Sequence, residues 1–178
     1  HHRIQISKAL SPRRVLNLEP SIRQLANQLV DSFIDAGEVD LLTQFAIPLP
    51  VTVIADILGV DRADIATFKH WGDLMISGNV DVLSHERRLE VAHAVVALHD
   101  YFVPRIEQRR REPTDDLLSD MVNAEVDGEG RLSTAELLPI IDQVLLAGHE
   151  TTTNLIGNAM LVLLRDPALM ARLRAEPM

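Results

Sequence analysis

The chain has 178 residues, about one domain's length and enough to bury a core. Apolar residues make up 47% and charged residues 24%, which excludes intrinsic disorder, collagen-like sequence and a membrane bundle. Cysteine is absent, so these residues supply no disulfide, no nucleophilic thiol and no thiolate metal ligand, and the net charge of -9 argues against a nucleic-acid partner. The longest nearly apolar stretch, Leu155 to Leu164, contains Asn158 and falls short of the roughly 18 residues a spanning helix needs. The chain starts at His1-His2-Arg3 without Met or signal peptide and stops just after an amphipathic pattern. Both ends read as cuts, so the expectation is one helical region, 1–178, taken from a longer chain.

Apolar residues at spacings of three and four predict helices throughout. Ser21 to Ala36 places Ile22, Leu25, Leu29 and Phe33 on one stripe, started at Pro20-Ser21 and stopped by Gly37. Pro48 and Pro50 read as a break. A short apolar helix follows from Val51 to Leu58, stopped by Gly59. Asp61 is an N-cap type and opens a helix to about Ile76, with Ile65, Phe68, Trp71 (or Gly72) and Met75 on one side. Ser77-Gly78-Asn79 reads as a loop. Val82 to Arg111 is a long helix with a stripe of Leu89, Ala92, Val96, Leu98 (or His99), Phe102 and Ile106. Its basic end, Arg109 to Arg111, suits a helix C-terminus or an anionic partner. Pro113 to Asp116 caps a short helix, Leu117 to Ala124, and Asp127 to Gly130 is a turn. Ser133 and Glu136 form a capping box that opens a long, almost wholly apolar helix to about Leu164. Asp166-Pro167 starts a last helix. No alternating strand pattern is present, so the fold class is all-α, with a buried central helix at about 133–164.

The middle of that helix breaks its own rules. It reads Ala147-Gly148-His149-Glu150-Thr151-Thr152-Thr153-Asn154, where a glycine, an acid and three β-branched hydroxyl residues each lower helix propensity by a few tenths to about 1 kcal/mol. A buried carboxylate costs more unless it is paired. Gly148 lets another group approach the backbone. A threonine hydroxyl competes for the i-4 carbonyl. Glu150 and Thr151 together make an acid–alcohol pair able to pass protons. One reading is functional; the other is a buried helix whose threonines bond back to its own carbonyls.

Ala147-Gly148-His149-Glu150-Thr151-Thr152 resembles the central-helix signature of cytochrome P450, the thiolate-haem monooxygenases. Ser7 to Val15 is similar to the Ser/Thr-Pro-Arg stretch of bacterial members. Phe45 to Val51, Ile57 to Val60, Phe68 and Trp71 resemble the approach to the substrate-access helices. Asp127 to Leu137 and Leu164 to Pro167 also fit, so the resemblance runs along the whole chain. It implies the helical part of the P450 fold, a b-type haem against the central helix, dioxygen activation and oxygen insertion into a small hydrophobic organic substrate. It implies an oxygen and haem groove at Ala147, Gly148 and Thr152, and a proton relay through Glu150 and Thr151. Substrate-pocket candidates are Gln143, Val144 and Leu146, with the Ser77–Val80 loop near the entrance. It also implies a ferredoxin or similar redox partner, met in part by Lys8, Arg13 and Arg14, and a cytoplasmic enzyme.

The family's cysteine ligand and its Glu-x-x-Arg motif are expected beyond Met178, so this piece alone should not be a competent oxygenase. The family's propionate-binding pair falls, counted without gaps, on Arg3 and a residue before His1; a gapped count uses His1 or His2. No metal ligand is assigned within the chain, His149 included. Glu125 to Glu136 matches an EF-hand loop at several positions, but a turn plus a capping box explains the same residues. His85, His93 and His99 share a helix at spacings too wide for one metal. A purely structural helical scaffold explains the periodicity but not residues 147 to 154.

Overall fold

The computed structural model describes residues 12–76, 84–126 and 130–176. Seven α-helices lie among them: α1 Pro12–Asp31, α2 Pro48–Ile57, α3 Ile65–Ile76, α4 His85–Arg111, α5 Leu117–Asn123, α6 Thr134–Arg165 and α7 Pro167–Ala175. The one ribbon among the described residues is tiny. Glu125–Val126 pairs antiparallel with Gly130–Arg131, too short to leave any alternation in sequence. The chain is all-α, as its periodicity implies. Arg3, Lys8, the Ser77–Val80 loop and residues 127–129 of the acidic turn lie outside the described residues.

Two proline positions differ from expectation. Helix α1 begins at Pro12, not Ser21, and carries Pro20 in its interior. Pro20 takes away the N–H that would bond Leu16, but Leu16 is 69% exposed, so water can serve its carbonyl. Pro48, read as part of a break, is instead the first residue of α2, where a missing N–H is harmless. A single π turn, Leu42–Ala46, leads into it.

Capping follows the sequence closely. Ser84 Oγ accepts from Arg87 N, Asp116 from Ser119 N and Asp166 from Leu169 N. Asp61 sits before a short 3-10 turn but makes no cap bond; its carboxylate instead accepts from Arg105 Nη2 at 2.8 Å. The stripe of α4 is rotated from the expected one. Ala94, Leu98, Phe102 and Ile106 are buried at strict four-residue spacing, whereas Leu89 and Val96 are 46% and 56% exposed. Phe68 of α3 meets Phe102 edge-on at 6.2 Å, and Trp71 meets Tyr101 at 5.7 Å. Trp71 therefore belongs to the packing of α3 on α4.

The basic end of α4 does more than balance a helix dipole. Arg109 Nε donates to Asp116 Oδ2 at 2.7 Å with both side chains nearly buried, and Arg110 Nη2 donates to the Leu132 carbonyl at 2.8 Å. Burial pushes the Asp116 carboxyl up, but hydrogen bonds from Thr114, the Ser119 backbone and Arg109 outweigh it and hold it below its ordinary value. A Cβ on Gly59, whose φ is +70°, would stand 2.5 Å from Asp116 Oδ2, so only glycine fits there. This latch holds α5 and the α2–α3 corner against α4, and α2, α3 and α4 form the bed on which α6 lies.

Candidate functional site

Helix α6 starts at the capping box. The Glu136 backbone N–H donates to Ser133 Oγ, and the Ser133 N–H donates to Glu136 Oε2 at 2.8 Å. Thirty-two residues follow without interruption. Burial is one-sided. Leu137, Ile141, Leu145, His149 and Thr153, each four residues apart, are buried. Gln143, Ala147, Glu150, Thr151, Thr152, Asn154 and Leu155 are exposed against the described residues.

Each contact on the buried face has a cause in sequence. Gly72 of α3 admits Leu145, whose Cδ1 would lie 3.3 Å from a Cβ there. Gly148 admits Ile54 of α2, whose Cδ1 would lie 2.8 Å from a Cβ. The close approach that Gly148 permits is therefore a helix–helix contact. Asp142 faces His99 of α4, whose Nε2 lies 3.0 and 3.1 Å from the two carboxylate oxygens. Thr153 Oγ1 donates to the Ala46 carbonyl at 3.0 Å.

His149 is 6% exposed and its Nδ1 has no hydrogen-bond partner. Burial lowers its pKa; Asp73 and Glu150 oppose the shift and Lys69 reinforces it. Lys69 and Asp73 form an ion pair on α3. No group of three or more His, Cys, Asp or Glu able to hold a metal occurs among the described residues.

The open face brings part of the expected site together. Ala147 and Thr151 stand one turn apart, and Thr151 Oγ1 donates to the Ala147 carbonyl at 2.7 Å. The hydroxyl hydrogen is thus committed to the helix, and its lone pairs remain free to accept. Glu150 is exposed beside Thr151 and makes no hydrogen bond or ion pair among the described residues. Gln143 lies one turn before Ala147. Leu146 is half-buried, and Val144 is partly buried against the core, so these two do not share the fully open strip. Thr152 is exposed, on the same side of the helix as Gly148. Arg13 and Arg14 fall in the first turn of α1.

The Thr153–Ala46 bond and the His99–Asp142 pair escaped the sequence reading. The four-residue run 137–141–145–149–153 was the available signal for Thr153. The ends of the proposed EF-hand loop are already engaged. Arg131 Nε donates to Glu125 Oε1 at 3.3 Å, and Glu136 closes the capping box.

One long helix thus crosses the helical body, packed on one side and open beside an acid–alcohol pair. The chain belongs to the cytochrome P450 family, whose model matches residues 62–178. It is 40% identical over 172 residues to Cytochrome P450 107B1 of Saccharopolyspora erythraea, covering 97% of this chain and 40% of that protein. It is 36% identical over 172 residues to 6-deoxyerythronolide B hydroxylase of the same organism, covering 97% and 41%. The solved ligand-free structure of Cytochrome P450 TbtJ1 superposes with a TM-score of 0.91 at 42% identity, covering 99% of this chain and 46% of that one. The chain thus spans about two-fifths of the length of the curated relatives it matches.

Members of the family are haem-iron monooxygenases. The open strip fits one side of such a cofactor. Ala147 offers only a methyl group, Thr151 has its hydrogen turned into the helix, and Leu155 is 69% exposed, which together give a small, apolar surface for a flat apolar ring. The residues offer no iron thiolate, because the chain has no cysteine.

Proposed function

We propose that residues 1–178 form part of a haem monooxygenase domain and contribute the helix that faces the oxygen-binding side of the haem. The whole enzyme inserts one oxygen atom of dioxygen into a small hydrophobic organic substrate. The haem, when bound, supplies the activation of dioxygen, and its thiolate comes from outside these residues. One observation carries the reading. The acid–alcohol pair Glu150–Thr151 stands on the open side of a helix whose other side is locked into the core.

In this reading Ala147 lines the oxygen groove, with Thr152 at its edge, while Gly148 seats the helix against Ile54. Thr151 Oγ1, its hydrogen held by the Ala147 carbonyl, accepts a hydrogen bond from the oxygen side and so orients the group that the proton path serves. Glu150 is the outer end and exchanges protons with solvent at its carboxylate. Gln143, Val144 and Leu146 line the approach of the substrate, and Arg3 contributes to holding a haem propionate. The likeness to 6-deoxyerythronolide B hydroxylase supports hydroxylation of an organic substrate. A ferredoxin-type partner delivers electrons, and the enzyme works in the cytoplasm. Among the described residues no helix is long and apolar enough to cross a membrane.

The test uses the full-length enzyme and measures product formed per reductant consumed. Thr151→Ala should keep consuming reductant while releasing peroxide. Glu150→Gln should slow turnover by about 10²–10⁴-fold, the usual contribution of a positioned acid or base. A second reading has its own observation, the Thr151–Ala147 bond, which a merely structural threonine would also make. It expects unchanged coupling and a slightly raised melting point in Thr151→Ala.

A further inference from the structure

The buried end of the open helix's packed face carries an unusual bond. Ala46 is fully buried at the end of the π turn, and its carbonyl has to be satisfied without water. In a continuing helix the N–H four residues on would serve it. That residue is Pro50, which has none. Thr153 Oγ1, 107 residues away in sequence, donates to this carbonyl instead, at 3.0 Å. Thr153 lies two residues past Thr151, so the two side chains point to nearly opposite sides of α6, about 200° apart. The Ala46 tether and the Ile54 contact at Gly148 fix the roll of α6 at points about one and a half turns apart, on either side of Glu150 and Thr151.

We propose that Thr153 is a positioning residue for oxygen activation. By closing on the Ala46 carbonyl, it sets the roll of α6 and thereby the direction of the Glu150–Thr151 pair. This rests on the proton-relay reading above. A donor supplied from within α2 would satisfy the same carbonyl without touching α6. Satisfying the carbonyl and holding the helix are therefore separable tasks.

The experiment compares full-length variants by product per reductant, spectral substrate affinity and melting point. Thr153→Val keeps the shape and loses the donor. It should keep substrate affinity, lose melting temperature and lower coupling about tenfold or more, as small misplacements of catalytic groups do. Thr153→Ser keeps the hydroxyl and should restore coupling. The double variant Pro50→Ala/Thr153→Val gives residue 50 an N–H for the Ala46 carbonyl. It should recover melting temperature while coupling stays low, and it also covers the case in which Thr153→Val alone folds poorly. Recovery of both together would mean that Thr153 only satisfies a carbonyl, and would overturn the proposal. So would full coupling in Thr153→Val. Thr151→Ala, run alongside, separates the two failures. If it uncouples while Thr153→Val does not, only the positioning role falls. If it stays coupled, the relay itself falls and the positioning role with it.

Discussion

The two sides of α6 obey different rules, although they are made from alternating residues of one helix. The packed side runs Leu137, Ile141, Leu145, His149, Thr153; Leu145 fits against Gly72, Gly148 beside His149 admits Ile54, and Thr153 bonds Ala46. The open side runs Gln143, Ala147, Glu150, Thr151, Leu155, and its members meet little among the described residues. The three threonines and the glycine look alike in sequence as poor helix formers. In the structure they separate. Gly148 and Thr153 serve packing, while Thr151 and Thr152 remain on accessible surface. Low helix propensity in this helix thus marks two things at once, a contact with a neighbouring element and a stretch of accessible surface.

The largest effect should separate Leu145 from Leu155. Leu145 is fully buried against Gly72, so Leu145→Ala should lower stability by about 2–5 kcal/mol, read from the denaturant midpoint of the full-length protein. Leu155 is 69% exposed, and Leu155→Ala should shift the same midpoint by no more than about 0.5 kcal/mol without haem. Its effect should appear instead as faster haem release. Equal losses of apoprotein stability at the two positions would erase the distinction between the faces.

A smaller effect should come from His149. Burial lowers the pKa of its imidazole below the ordinary 6.5, so the unfolded chain takes up the proton first. Stability is therefore fully present above 6.5 and falls as pH drops below it. His149→Leu removes the titration and the unpartnered Nδ1, and should flatten this part of the stability–pH curve. Its gain on the acid side should be about 1–3 kcal/mol, the usual penalty of an unsatisfied buried polar group. Denaturant midpoints at several pH values check this. An unchanged slope in the variant would show that the His149 imidazole does not titrate with a lowered pKa in the fold.

Local chemistry was legible in the sequence. Ser133 with Glu136, Asp116 and Asp166 cap where their types and spacing say, because a cap involves only the next three residues. Phase was less legible. Leu89 and Val96 of α4 compete with Ala94, Leu98, Phe102 and Ile106 for the same inward direction, and only the facing helices α3, α5 and α6 decide between them. Long-range pairing was not legible. Thr153 meets Ala46, and His99 meets Asp142, across 107 and 43 residues, and neither residue's type announces its partner. The close approach expected at Gly148 was readable as a need for space, but the sequence could not say that Ile54 fills it.

That contact gives the smallest prediction. Alanine at position 148 should gain up to about 1 kcal/mol of helix propensity over glycine. Its Cβ would stand 2.8 Å from Ile54 Cδ1 and 3.3 Å from Cγ1, too close without movement. Cδ1 is the end of a flexible side chain and can turn away, but Ile54 is only 5% exposed, so turning costs about 0.5–1.5 kcal/mol of rotamer strain. The two terms nearly cancel, and Gly148→Ala should change stability by less than about 1 kcal/mol. Shortening the neighbour resolves the balance. In an Ile54→Val background the Cδ1 atom is gone and only the 3.3 Å γ-carbon contact remains, so Gly148→Ala should then be clearly more favourable than in the Ile54 background, by up to about 1 kcal/mol. A matched pair of denaturant titrations reads this interaction directly. If Gly148→Ala destabilises equally in both backgrounds, the glycine answers to something other than Ile54, and the separation of packing from ligand surface on α6 fails at the residue where the two sides meet.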